Sequence, residues 1–167
     1  MDPFSLMSEY FWLIAIAVTG INLAIFRKRA QKYITEDPSL REGYDVLFRG
    51  YFFWMNVPWV VMGVGCTFGS VPSVWHYFRP QDGNPYVLAW FASVFVVWVL
   101  GTVWLFFRGG AETLARYPGA LVFSYGFKSK DIKNPVLIKL FWLLVLAGGI
   151  AGVSMMCTMD VPIPNFR

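Results

Sequence analysis

Apolar residues in this chain run in long unbroken stretches, without the one-face spacing of a surface helix or the alternation of a half-buried strand. Four stretches contain no Asp, Glu, Lys, Arg or His: 10–26, 50–69, 86–107 and 140–159. At about 1.5 Å of rise per residue, roughly 20 residues form a helix as long as the 30 Å apolar core of a bilayer. The pattern therefore predicts an all-α integral membrane protein with four transmembrane helices, forming one four-helix domain over residues 1–167.

Capping chemistry supports these boundaries. Asn84-Pro85 and Asn134-Pro135 each set a capping side chain before a proline, whose missing N–H costs nothing in a first helical turn. The third and fourth helices are expected to start there. Ser39 with Glu42 reads as a capping box after Asp37-Pro38, which would start the second helix near Leu40. Arg27–Ile34 extends the first helix beyond the lipid. Short helical turns are expected at Ala111–Tyr117 and Ser73–Phe78, and the apolar Ala120–Phe127 is expected to lie in the membrane interface.

Composition agrees: 57% of residues are hydrophobic, 19% aromatic and only 14% charged, against about 25% charged in a soluble domain. A soluble enzyme, a nucleic-acid-binding domain and a disulfide-stapled secreted fold are excluded. The net charge of +4 matters less than its placement, because Lys and Arg orient membrane helices. Of the 14 basic residues, all but Arg79 and Arg167 lie between the first and second spans or between the third and fourth, counting the flanking Lys139. Both basic loops are expected in the cytoplasm, with the N-terminus and C-terminus both outside. Asp2 and Glu9 precede the first apolar run and the basic cluster follows it, the reverse of a cleaved signal peptide, so the first span is expected to be retained. The expected location is a bacterial inner (plasma) membrane. Trp and Tyr cluster near the span ends, as in an aromatic belt, with Trp59 and Trp98 deeper.

Small residues mark packing faces. Gly65 and Gly69 in the second span and Gly148 and Gly152 in the fourth are expected to let those two helices approach closely. Pro58 beside Asn56 is expected to kink the second helix. A weak repeat relates Phe26, Arg27, Ala30, Leu40 and Tyr44 to Phe107, Arg108, Ala111, Leu121 and Tyr125, too sparse to carry function.

No span contains an ionisable side chain of the kind that carries proton relays, ion-coupled transport or voltage sensing. Phosphate-binding, metalloprotease and serine-nucleophile motifs are absent. Two constellations remain. The loop from Trp75 to Asp82 brings together His76, Arg79 and Asp82 beside aromatic residues, a place where a quinone or lipid headgroup could be held, with His76 and Arg79 as cofactor-binding candidates. The second is sulfur. Cys66 and Cys157 lie at matching depth near the outer ends of their spans, with Met62, Met155, Met156 and Met159 nearby. Soft ligands of this kind suit monovalent copper, giving Cys66, Cys157, Met62, Met155 and Met159 as candidate metal ligands. The same groups also serve as ordinary core filler, and a Cys66–Cys157 disulfide is a further option if the helices touch.

The leading functional expectation is a non-catalytic subunit or assembly/stabilising factor of a larger membrane complex. The alternatives are a channel or transporter for a neutral or lipophilic solute, and a membrane redox or metal-binding protein using His76 or the sulfur residues. Expected partners are membrane lipids, anionic on the cytoplasmic side, and a protein within the membrane, but no nucleic acid. No cofactor is assigned.

Overall fold

The computed structural model describes residues 3–69, 71–125 and 128–164. They form helices α1 (Pro3–Glu9), α2 (Phe11–Glu36), α3 (Arg41–Phe68), α4 (Pro85–Phe107), α5 (Gly110–Arg116) and α6 (Pro135–Thr158), with strands β1 (Val122–Tyr125) and β2 (Lys128–Asp131) before α6. Four of them, α2, α3 (with the 3-10 turn before it), α4 and α6, are long and apolar enough to cross a membrane. Their surfaces remain apolar: Ile21, Val60, Val99 and Leu144 are each at least half exposed. Water would not tolerate such a surface, whereas lipid tails solvate it.

The helix starts follow local chemistry. Asn84 Oδ1 accepts from Tyr86 N and Asn134 Oδ1 from Val136 N, each at 2.9 Å, as the Asn-Pro pairs predict. The expected Ser39–Glu42 capping box is replaced by a different cap. Asp37 accepts from Ser39 N at 3.0 Å and heads a 3-10 turn, Pro38–Leu40, from which α3 continues. Proline at the first position of that turn places Asp37, two residues before Ser39, at the capping site. The Ser39 hydroxyl and backbone N–H also hold the Asp37 carboxyl below its usual range. Helix α3 then runs through Pro58.

The residues group into two compact units, each drawing on all four long helices. One comprises Met1–Thr19, Trp54–Val97 and Ala147–Arg167, insofar as these are described. Its core is Met62, Val71, Tyr77, Val87 and Phe91, with Trp12, Trp59, Trp90, Val153 and Met156 packed around them. Small residues on α3 and just after it make room for rings: a side chain at Gly63 would meet the Trp12 indole, and one at Gly69 the ring of Tyr86 at 2.5 Å.

The other unit comprises Gly20–Phe53 and Trp98–Leu146. One of its cores gathers Leu23, Ala30, Ile34, Tyr44 and Phe48 from α2 and α3, with Tyr117 against them. A second gathers Leu105, Ala111 and Ile138, joined by Leu121, Ile132 and Trp142. Gly109, at φ 71°, turns the chain from α4 into α5. The segment expected to lie as an apolar stretch in the interface instead contains β1, paired antiparallel with β2 in the register Val122↔Asp131 to Tyr125↔Lys128. A lone hairpin is marginal in water. Here Ile132 N donates to Leu121 O at 3.0 Å, and Tyr33 Oη donates to Asp131 Oδ2 at 2.6 Å, so both strands are anchored at the same end.

Candidate functional site

The loop between α3 and α4 folds into two 3-10 turns, Val74–Phe78 and Pro80–Asp82, the first of them where a short helical turn was expected over Ser73–Phe78. His76 is half-buried, and its Nδ1 lies 3.2 Å from Ser73 Oγ and 3.3 Å from Ser73 O, so that nitrogen is engaged within its own turn. Arg79 is engaged too: Nε lies 3.0 Å from Asp82 Oδ2 and Nη1 3.4 Å from Asp160 Oδ1. Gln81 Nε2 adds a long bond of 3.4 Å to Met159 O. Two carboxylates thus balance the cation proposed for a headgroup or quinone, and the loop is tied to the end of α6. Its buried anchor is Tyr77, whose hydroxyl donates to Met62 O at 3.1 Å and lies over Gly65. Burial, and secondarily the neighbouring Cys66, push the Tyr77 phenol far above its ordinary value, so it stays a neutral donor.

The sulfur residues divide between two environments. Met62 is buried and Cys66 half-buried beside Tyr77, within hydrogen-bond reach of its hydroxyl. Met155, Cys157 and Met159 are exposed, and both cysteines are free thiols, so the disulfide option is not realised. Val153 and Met156 of α6 pack into the core. Met155 lies on another face of the helix, Cys157 is exposed in its last turn, and Met159 lies beyond its end. Met156, not a proposed ligand, is the methionine of α6 that joins Met62 and Cys66.

The glycine pairs divide in the same way. Gly65 and Gly69 receive Tyr77 and Tyr86, side chains from the loop and α4. Around Gly148 and Gly152 nothing lies within 4 Å of where a side chain would begin. The four glycines therefore do not form one shared seam. Asn56 on α3 is buried at 6% exposure, and Pro58 lacks the N–H that would donate to a carbonyl one turn earlier.

A further arrangement was not anticipated as a site. Between α2 and α3 lies a cleft of about 370 Å³ lined by Leu23, Arg27, Phe48, Arg49 and Phe52. A second, of about 420 Å³, shares Arg27 and Phe48 and adds Gln31, Ile34, Arg41 and Asp45. The Arg27 guanidinium sits 5.3 Å from the centre of the Phe48 ring, and Arg49 Nε donates to the Asp45 backbone carbonyl at 3.3 Å. Among the described residues no carboxylate lies within ion-pair distance of Arg27, Arg41 or Arg49. The signal in the sequence was positional: Arg27 is the first charge after one apolar stretch and Arg49 the last before the next.

Among the described residues no three His, Cys, Asp or Glu side chains cluster as metal ligands. Compared with protein-family models, curated proteins and solved structures, the chain matches none. The reading of its function therefore stands on geometry.

Proposed function

We propose that this chain is a non-catalytic integral membrane protein, a subunit or assembly/stabilising factor that packs against another membrane protein through α6. The observation that carries this is the open stripe Gly148, Gly152 and Met155. These residues recur every three or four positions and so share one face of α6. Around both glycines the chain offers no neighbour within 4 Å. Lipid tails need no glycine, whereas a second helix needs small residues to bring its backbone close, and in a bilayer such packing drives association. Only 6% of the most apolar window of α6 is buried, against 22% in α3, so α6 has the most surface to offer. Methionine beside the glycines suits an adaptable contact.

In this reading the two basic loops face the cytoplasm of a bacterial inner membrane, with both chain ends on the opposite side, following the bias in Lys and Arg. Arg167, the far end of that pattern, lies outside the described residues.

The test is a Gly148→Leu/Gly152→Leu double variant, purified beside the wild type in mild detergent. The variant should fold with an unchanged melting midpoint yet lose a stoichiometric membrane partner held by the wild type. A wild-type chain that purifies alone and monodisperse, or a variant that keeps its partner, overturns the proposal. A cytoplasm-only reporter fused after Arg167 should be silent, and activity there would reverse the orientation.

A further inference from the structure

The basic cleft between α2 and α3 combines features that separately are common and together are selective. Its lower wall is apolar, from Leu23 and Phe52, and its upper wall carries Arg27 and Arg49. Leu23 is one helical turn before Arg27 on α2, and Phe52 nearly one turn after Arg49 on the antiparallel α3. Both arginines stand where an uncharged stretch ends, so both belong to the headgroup level of any bilayer that solvates the spans. Phe48 forms the floor, 4% exposed and edge-on to Phe26 at 4.8 Å, which fixes a rigid base under the Arg27 guanidinium.

The charge balance narrows the occupant. Arg27, Arg41 and Arg49 line the two connected clefts, against one carboxylate, Asp45. The compartment holding the apolar walls contains no acid. Guanidinium groups donate through several N–H bonds and match the geometry of phosphate oxygens, and each is strengthened where water is partly excluded. Gln31 and Asp45, in the adjoining compartment, offer acceptors for hydroxyl groups.

We propose that this cleft is a binding site for one anionic phospholipid of the phosphatidylglycerol class. Its phosphodiester sits between Arg27 and Arg49, one acyl chain lies along Leu23 and Phe52, and the headgroup hydroxyls donate toward Gln31 and Asp45. The net positive balance favours a singly anionic lipid over a zwitterionic one. The apolar wall favours a lipid over a free phosphate ester. This inference rests on the four long helices lying in a bilayer and not on a protein partner, so it stands or falls separately from the role proposed for α6.

The test is lipid retention by the purified full chain, read by native mass spectrometry after titration with dioleoylphosphatidylglycerol, dioleoylphosphatidylethanolamine or glycerol 3-phosphate. The wild type should hold one phosphatidylglycerol through gas-phase release from detergent. An Arg27→Gln/Arg49→Gln variant should weaken that binding about tenfold or more, as expected for two lost charge-assisted contacts. A Lys28→Gln/Lys133→Gln variant removes the same charge from exposed positions outside the cleft and should bind as the wild type does. Both arginines are exposed, so folding should survive, and an unchanged melting midpoint without added lipid checks this. Equal weakening in the two variants would reduce the effect to diffuse attraction and overturn the site. Equal retention of phosphatidylethanolamine would overturn the charge selection, and equal binding of glycerol 3-phosphate would overturn the lipid assignment.

Discussion

The Tyr44 hydroxyl donates a 2.7 Å hydrogen bond to the carbonyl oxygen of Pro118, joining the start of α3 to the turn after α5 across 74 residues of sequence. Tyr44 is fully buried, stacked on Phe48 at 5.9 Å and edge-on to Tyr117 at 5.0 Å. One side chain thus fastens a connecting segment to the helical hairpin. Tyr44→Phe keeps the ring contacts and leaves the carbonyl without this donor, which should cost about 1 to 3 kcal/mol. Tyr44→Ala should cost about 3 to 5 kcal/mol, as for loss of a large buried aromatic side chain. Thermal unfolding in a fixed detergent measures both, and a Phe variant as unstable as the Ala variant would show that the hydroxyl dominates.

A second contact of this kind fixes α6. Trp142 Nε1 donates to Thr102 Oγ1 at 2.9 Å, and its indole lies over Gly101, where an added side chain would meet ring carbons at 2.7 and 2.9 Å. The hydrogen bond keeps the ring from swinging aside. Gly101→Ala should therefore destabilise by about 1 to 3 kcal/mol, the usual range for overpacking. Gly148→Ala, in open space, should leave the melting midpoint of the isolated chain unchanged. Equal effects at the two positions would contradict the packing described here.

Free Cys66 and Cys157 lead to a simple expectation under oxidation. With Cys66 half-buried and Cys157 exposed in the last turn of α6, both as free thiols, copper-phenanthroline should yield no intramolecular cross-link. Nonreducing electrophoresis after fragmentation between the two thiols reads the result. A band joining residues 66 and 157 would place the two thiols within disulfide reach.

The ion pair between Lys139 and Glu112, 2.9 Å apart, ties α5 to the start of α6. The Lys139 hydrogen bond holds the Glu112 carboxyl below its ordinary value of 4.5. A depressed folded-state value means that the pair's contribution is fully present above the unfolded value and is lost as pH falls through the folded one. Acidification below about pH 4.5 should remove it, and Glu112→Gln should flatten that part of the stability profile. The pair is solvent-exposed, so the effect should be small and should shrink further in high salt. A wild-type profile identical to that of Glu112→Gln between pH 3 and 6 would show the pair to be inert.

The cap on α6 offers the most local check. Asn134→Ala removes the side-chain acceptor for Val136 N and should cost about 1 kcal/mol, while Asn134→Asp or Asn134→Ser should retain most of the stability.

Much of this architecture is written in the sequence because it depends on composition over one helix length. Four uncharged stretches near 20 residues long can avoid exposing backbone polar groups to lipid only as helices, whatever their neighbours. Asn84 and Asn134 cap through contacts two residues away, so they too were legible. The Asp37 cap was not, because Asp37 and Ser39 offer rival caps two residues apart and proline geometry decides between them. The β1–β2 hairpin was hidden for a different reason. Its anchors, Tyr33 on Asp131 and the cores around Leu121 and Ile132, are distant in sequence.

The candidate sites separate along the same line. Sequence placed Cys66 and Cys157 at matching depth, but depth is one coordinate and helix rotation is another. Nothing in a helix that is apolar all round fixes its rotation. Only packing decided that Met156 turns inward while Gly148, Gly152, Met155 and Met159 stay open. Arg27 and Arg49 show the converse. Their depth was fixed by the stretches they bound, but the cleft between them exists because Phe26, Tyr44 and Phe48 pack α2 and α3 together beneath it. Depth follows from the free energy of placing single residues in water or lipid, whereas rotation and clefts follow from pairwise packing, which a linear sequence does not display.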